Sequence, residues 1–306
     1  MKIALTGVTG FIGQNLMPML IRECPDVEIL TLNVDVAEAE KLYPVAEYSR
    51  CKHVHTTNLE QLIVFNPELT IHLATVTTAR NDTEIIKPMI TANIEFGVLL
   101  LDALTKCDHM KLFVNAGSFA EYRLGPGLFE SAYLYTASKT AFRAFVDYYS
   151  KLAGFRYITA VPYSVYGGKM TVKRIMDYIY ESMDSDIPIA MTAGEQVLDF
   201  IHVDDVAGFF TYVVKNVSLF CMLERNGEEF HLGTGRGTTI KEVASLMETL
   251  FGNKCNINWG GRKYRDRDIM YAVAPIAKNL TLIGWKANIS LRDGIGLMKS
   301  NLIKNK

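Results

Sequence analysis

The chain has 306 residues, 49% of them hydrophobic and 21% charged, and a net charge of −1. That is enough chain for one large domain or two coupled ones, and the balanced charge gives no phosphate-backbone footprint, so nucleic acid is not an expected partner. The five cysteines, Cys24, Cys51, Cys107, Cys221 and Cys255, include no CxxC spacing, which argues against a disulfide framework or a metal site.

The chain opens on the apolar strand candidate at residues 3–5. No signal-peptide pattern precedes it and no apolar run is long enough for a bilayer, so a cytoplasmic, soluble chain with no membrane contact is expected. Next comes Gly7-Val8-Thr9-Gly10-Phe11-Ile12-Gly13, leading into helical spacing over residues 12–22. Gly7 suits a tight turn, Gly10 lets backbone approach a pyrophosphate, and Gly13 lets helix pack on strand. The helix start adds free N–H groups and partial positive charge. Thr9, Phe11 and Ile12 complete this candidate dinucleotide cradle.

The second strand candidate, residues 27–32, ends at Asn33. An acidic residue usually reads the ribose of the cofactor at this place. Asn33 does not repel a 2′-phosphate, but no arginine follows to attract one and Asp35 would oppose it. NADP(H) or NAD(H) is expected, with the choice inclined to NADP(H). In the other reading Asn33 is a turn residue and Asp35 takes the ribose.

Further strand candidates fall at 69–73, 112–115 and 157–161, with helical spacing at 89–104. Strand alternating with helix predicts an α/β fold, a doubly wound parallel sheet of the Rossmann type with ligands at the carboxyl ends of its strands. Ser118 follows the strand at 112–115 and so stands where it can hydrogen-bond a reacting oxygen. Tyr135 and Lys139, four apart in Tyr135-Thr136-Ala137-Ser138-Lys139, share one helix face. An ammonium beside a phenol favours the phenolate and lowers its pKa from about 10. Tyr135 is therefore expected to act as general acid or base near neutral pH. Tyr133 has Ala137 four residues on and lacks this partner.

After Gly167 the pattern predicts a helix over 172–185, a strand at 187–191, a strand running into a helix across 199–207, and a strand at 230–233. Thr239-Ile240-Lys241-Glu242 has capping-box spacing and opens another helix. The expected division is a dinucleotide-binding domain over 1–167 and, over 168–306, mainly a smaller α/β substrate-binding lobe, with part of the chain returning to the main sheet.

Together these motifs resemble the extended short-chain dehydrogenase/reductase family, the NAD-dependent epimerase/dehydratase group that modifies nucleotide-activated sugars. The resemblance spans most of the chain: the glycine turn, Ile71-His72-Leu73-Ala74, Asn93 in a helix, Ser118, Tyr135 and Lys139, Val165-Tyr166-Gly167, Asp199 to Ala207, Gly233-Thr234-Gly235 and Ile283-Gly284-Trp285. It implies Ser118, Tyr135 and Lys139 as the catalytic set. It also implies Asn58 and Leu59 near the adenine, Leu73, Ala74, Thr75 and Asn93 along the cofactor, and Tyr163 and Val165 at its nicotinamide end. His72 and His202 read as structural.

Departures from the family pattern narrow the reaction. Phe119-Ala120 follows Ser118 where the 4,6-dehydratases carry an acid and a base, so water elimination is not expected. Cys107 and His109 stand together at a helix end, away from any sugar, and read as surface residues rather than a 3,5-epimerase pair. Leu198 and Ser164 replace an arginine and an asparagine of the usual diphosphate site. Arg265 and Asp268 keep an Arg-x-x-Asp spacing, and Lys173 and Arg174 are further phosphate candidates. Thr77, Ser118, Phe119, Ser164, Lys173, Arg265 and Asp268 are thus the expected substrate residues. The expected activity is reduction of a nucleotide-diphosphate 4-keto-6-deoxy sugar, with a 4-epimerase retaining NAD as rival and a non-catalytic dinucleotide-binding protein as a third reading. The resemblance also implies a homodimer through the helix at 135–152, whose Phe142, Phe145, Tyr148 and Tyr149 could serve a four-helix bundle or the core.

Overall fold

The computed structural model describes residues 1–168 and 173–304. Val172, where the sequence places a helix start, lies outside the described residues. The first half builds β1 (Lys2–Thr6), α1 (Phe11–Glu23), β2 (Glu28–Asn33), α2 (Val36–Leu42), β3 (Cys51–His55), α3 (Leu59–Phe65), β4 (Leu69–His72), α4 (Thr83–Ile90), α5 (Phe96–Leu104), β5 (Leu112–Ala116), α6 (Leu134–Ala153) and β6 (Arg156–Pro162). β7 (Ser164–Tyr166), α7 (Ile175–Ser182), β8 (Ile189–Met191), β9 (Val197–His202), α8 (Val203–Lys215) and α9 (Val217–Cys221) follow. Then come β10 (Glu228–Leu232), β11 (Gly237–Thr239), α10 (Ile240–Phe251), β12 (Ile257–Trp259) and β13 (Tyr271–Ala272).

Seven strands form one sheet in the order β10-β6-β5-β4-β1-β2-β3, all parallel. This is the doubly wound α/β fold expected from the alternating pattern. The central strands β1, β4, β5 and β6 are buried on both faces over most of their length, which explains their continuous apolar runs. Within β1, Ile3 and Leu5 join one apolar layer with Leu16, Ile71 and Phe209, while Ala4 joins the other with Leu30, Phe113 and Phe142. β3 is the strand that apolar runs do not reveal: Cys51-Lys52-His53-Val54-His55 sits at the sheet edge and carries polar residues. No helix among the described residues is long and apolar enough to cross a membrane.

β7, β9, β11 and β13 form a second sheet, and β8 pairs with β12. The Asp199 carboxylate, wholly buried in β9, ties this sheet to the main one. It accepts from the Thr234 N–H (2.8 Å), the Thr234 hydroxyl (2.7 Å), the Gly235 N–H (2.8 Å) and the Ala274 N–H (3.1 Å). Removing a buried acceptor strands its donors at about 1–3 kcal/mol each. Asp199→Ala is therefore expected to lose at least about 3 kcal/mol in urea unfolding followed by circular dichroism. Asp199→Asn should recover little, because its NH2 would face an N–H donor; full recovery by asparagine would contradict this account.

Candidate active site

β1 lies between β4 and β2, so strand order reverses between β1 and β4 and a crevice opens at their carboxyl ends. Thr6 closes the floor of that crevice. Its hydroxyl oxygen accepts from the N–H groups of Leu73 (3.1 Å) and Ala74 (3.0 Å) and its proton goes to His72 Nδ1 (2.9 Å). Burial pushes His72 down to about 3, so it stays neutral and structural. The chain then turns at Gly7, with φ +73°, where a Cβ would lie 2.7 Å from Ala74 N. At Gly13 a Cβ would collide with the Gly7 carbonyl. Gly10 caps α1 without any side-chain hydrogen bond, which leaves the first N–H groups of Phe11 and Ile12 directed at the crevice. Thr9 lies in the same turn. This empty-sided glycine cradle at a helix start fits a dinucleotide pyrophosphate.

Asn33 ends β2 beside the turn, and Asn58 and Leu59 open α3 just past β3. Asp35 caps α2, its carboxylate accepting from the Glu38 N–H at 2.9 Å. Leu73, Ala74 and Thr75 line the other side of the crevice. Asn93, on a π-helical turn at Thr91–Glu95, is buried and fully used. Its Oδ1 accepts from the Thr75 hydroxyl (3.0 Å) and Val76 N–H (2.7 Å), and its Nδ2 donates to the Val76 carbonyl (3.1 Å) and Ser138 Oγ (2.9 Å). An amide has no further capacity. Asn93 therefore positions the Thr75–Val76 loop against α6, with the hydrogen-bonding capacity of its side chain already filled.

Ser118, Tyr135 and Lys139 converge although they come from two elements. Ser118 follows β5, and the other two lie on the first turns of α6. Tyr133 begins that helix in extended backbone, with its N–H donated to the Thr136 hydroxyl at 3.1 Å. Burial raises the Tyr135 phenol to about 12, against hydrogen bonds from Thr77 and Ser118 and the charge of Arg174 that pull it down. The depressed value expected from Lys139 alone is overturned, because desolvation of the phenol outweighs the neighbouring charges. Burial also lowers the Lys139 ammonium to about 8, while Glu121 opposes this and Arg143 adds to it.

Glu121 and Arg143 were not singled out by sequence. Glu121 is wholly buried and accepts from the Ser118 N–H (2.8 Å), Arg143 Nη2 (3.0 Å) and Nε (2.8 Å), and the Thr140 hydroxyl (3.1 Å). Arg143 also donates to Glu229 at 2.7 Å on β10. Its signal in the chain is its spacing, four residues past Lys139 on the same inward helix face.

On the substrate side, Phe119 stacks on Tyr163 at 5.4 Å, and the Tyr163 hydroxyl meets His231 Nδ1 at 3.2 Å. Val165 is buried in β7, with Ser164 partly exposed before it. Leu198 packs with Ile276 and Tyr163 in an apolar cluster. Asp268 accepts from the Arg265 N–H (2.9 Å) and the Tyr133 hydroxyl (3.2 Å), so this pair is brought to the catalytic helix. Lys173 does not join them: it is exposed and paired with Glu181 at 2.6 Å. Arg174 instead lies over the Phe11 ring at 4.4 Å, and its buried Nε has no partner among the described residues. Cys107 is buried at the end of α5, which pushes its thiol up to about 11, and is not the surface residue expected; His109 is exposed beside it. His202 is buried, its Nδ1 accepting from the Asp204 N–H at 3.2 Å.

The chain is similar to known proteins over most of its length. CDP-abequose synthase of Yersinia pseudotuberculosis is 26% identical over 270 residues, covering 88% of this chain and 91% of that protein. A putative UDP-glucose 4-epimerase of Methanocaldococcus jannaschii is 26% identical over 313 residues, covering 96% of this chain and 95% of that one. The solved UDP-glucuronic acid 4-epimerase of Bacillus cereus, in complex with UDP-glucuronic acid and NAD, superposes with a TM-score of 0.86 at 20% identity over 100% of both chains. Residues 3–220, which carry the glycine turn, the crevice and all three converging side chains, match the profile of the NAD dependent epimerase/dehydratase family, and the chain belongs to that family.

Proposed function

We propose that the chain is an NAD(P)H-dependent reductase of a nucleotide-diphosphate 4-keto-6-deoxy sugar. The observation that carries this reading is the meeting of the Thr77 and Ser118 hydroxyls with the Tyr135 phenol, with Lys139 one helical turn behind. The nicotinamide, when bound, supplies the hydride to C4. The N–H groups opening α1 would hold the pyrophosphate, and Lys139 the nicotinamide ribose. Ser118 orients the carbonyl oxygen. Tyr135, kept protonated by burial, gives its phenolic proton to that oxygen as it becomes the hydroxyl. A raised phenol suits this direction, since reduction of a ketone consumes a proton.

Phe119 and Ala120 supply neither acid nor base, which leaves a ready-made keto sugar as substrate rather than one the enzyme dehydrates. The similarity to a CDP-abequose synthase over most of both chains supports the reductase. A 4-epimerase with retained NAD is the second reading, favoured by the Methanocaldococcus relative. Loss of sugar chemistry is disfavoured by the intact catalytic set. We place the sugar against residues 168–306, with Arg174 rather than Lys173 as phosphate contact, and the nucleotide-diphosphate also near Arg265 and Asp268. We further propose a homodimer. Phe142 is core, but Phe145, Tyr148 and Leu152 on α6 and Leu99 on α5 are exposed and apolar, a patch suited to a second copy.

The reading is tested by nicotinamide absorbance with NADH or NADPH and a panel of 4-keto-6-deoxy sugar nucleotides. Stoichiometric loss with one of them is expected; product formation without net loss would transfer the assignment to the epimerase. Tyr135→Phe should lower kcat by roughly 10²–10⁴-fold. Below about pH 8 Lys139 is cationic, and above it the charge is lost. The kcat/KM for reduction should therefore fall as pH rises through about 8, and Lys139→Met should abolish that limb; a flat profile to pH 10 would reject the assignment. Sedimentation should give a two-chain mass for the wild type and a single-chain mass for Tyr148→Glu.

A further inference from the structure

The bonds that tie Ser118 to α6 continue into a closed circuit through β10. Phe119, the residue after Ser118, stacks on Tyr163 with ring centroids 5.4 Å apart and an interplanar angle of 22°. The Tyr163 hydroxyl lies 3.2 Å from His231 Nδ1, and His231 Nε2 lies 3.6 Å from the Glu229 carboxylate. Glu229 accepts from Arg143 at 2.7 Å, Arg143 donates to Glu121 at 2.8 Å, and Glu121 accepts the Ser118 N–H at 2.8 Å. The circuit thus returns from Ser118 to Phe119 through the turn after β5, α6, β10 and the end of β6. His231 and Tyr163 are buried in it. Asn279 Nδ2 donates to the His231 carbonyl at 2.8 Å, so this histidine is held by its main chain as well as its ring.

The bond between His231 and Tyr163 does not depend on the charge of the imidazole. In every protonation state Nδ1 can either accept from the phenol or donate to its oxygen. It is also the one bond of the Tyr163 hydroxyl among the described residues. It turns that oxygen toward β10 and leaves the ring face to Phe119. We propose that His231 is a positioning residue for the segment that carries Ser118: by holding the Tyr163 phenol it seats Phe119, and with it the adjoining serine, from the side that Glu121 does not reach. The inference rests on the reading of Ser118 as the group that orients the reacting oxygen. Glu121 holds the Ser118 backbone from the α6 side, and the aromatic stack holds the next residue from the β6 side. A short turn gripped on both sides keeps the Ser118 hydroxyl in one place relative to Tyr135, as a site supported by packed and hydrogen-bonded neighbours requires. The same bond withholds the Tyr163 hydroxyl from the substrate, so Tyr135 is left as the phenol that serves the oxygen.

Fluorine NMR of the full chain carrying 4-fluorophenylalanine gives a readout that needs no turnover. The Phe119 signal is assigned by its loss in Phe119→Leu. Tyr163→Phe, which deletes one oxygen and keeps the ring, and His231→Leu should each move or broaden that signal. His231→Asn, which leaves an amide atom at the Nδ1 place, should keep it near its wild-type position. With a keto sugar that the wild type reduces, Tyr163→Phe and His231→Leu should each lower kcat about tenfold, between the loss of one net hydrogen bond and the cost of a roughly 1 Å misplacement. KM for the sugar and Kd for NADH should stay as in the wild type, and His231→Asn should recover most of the kcat. The double variant should lose no more than either single one, since both cut the same bond. An unchanged kcat in both single variants, additive losses, or an unchanged Phe119 signal in both would overturn the proposal. Should His231→Leu fail to fold, Tyr163→Phe reads the same loss. A wild type that reduces no keto sugar would overturn the reaction reading instead, and the fluorine signal would still decide whether His231 seats Phe119.

Discussion

The candidate catalytic geometry hangs on the pairing of Glu121 with Arg143. Ser118 belongs to the segment after β5, while Tyr135 and Lys139 belong to α6. Nothing in either element alone fixes their separation. Glu121 reaches both: it accepts the Ser118 N–H on one side and Arg143 and Thr140 of α6 on the other. Arg143 extends the tie to Glu229 on β10. A buried ion pair of this kind is weak evidence for net stability, since desolvating both charges offsets their attraction. Its value here is geometric, because the carboxylate is saturated by directional bonds and has one arrangement that satisfies them all.

The same charges set the electrostatics above them. Lys139 is buried within reach of Glu121 and Arg143, which act on it with opposite sign, so burial decides its lowered value. Tyr135 is likewise governed by burial, and the neighbouring hydroxyls and Arg174 temper rather than reverse it. Burial therefore keeps the proton on the phenol.

Much of this was legible in the chain. The alternation of apolar runs with helical spacing led to the parallel sheet, since buried parallel strands need continuous apolar runs. The glycine turn was legible because Gly7 and Gly13 each occupy a place where a Cβ meets backbone. β3 was hidden because an edge strand does not need apolar residues on both faces. Spacing put Tyr135 and Lys139 on one face, yet it said nothing about desolvation, and the direction of the phenol shift was missed. Asn93 illustrates the same limit: its place in a helix was readable, but its four bonds depend on a π-turn and on Val76 and Ser138, far apart in sequence. Lys173 and Arg174 are adjacent in sequence, and only the folded chain turns one to solvent and the other onto Phe11.

The place of β10 has a consequence for how the molecule is made. β6 pairs with β5 on one side, and its other side waits for a strand that begins at Glu228, more than sixty residues after Pro162. During synthesis the nascent sheet therefore presents an apolar, unpaired edge through Ile158, Ala160 and Val161 until the later segment leaves the ribosome. Such edges recruit other strands, which makes this interval the aggregation-prone stage of folding. A fragment ending near Gly167 would retain the glycine turn and the catalytic helix but carry that edge permanently, whereas a chimera that exchanges the later region for a relative's must bring a strand able to seat on β6.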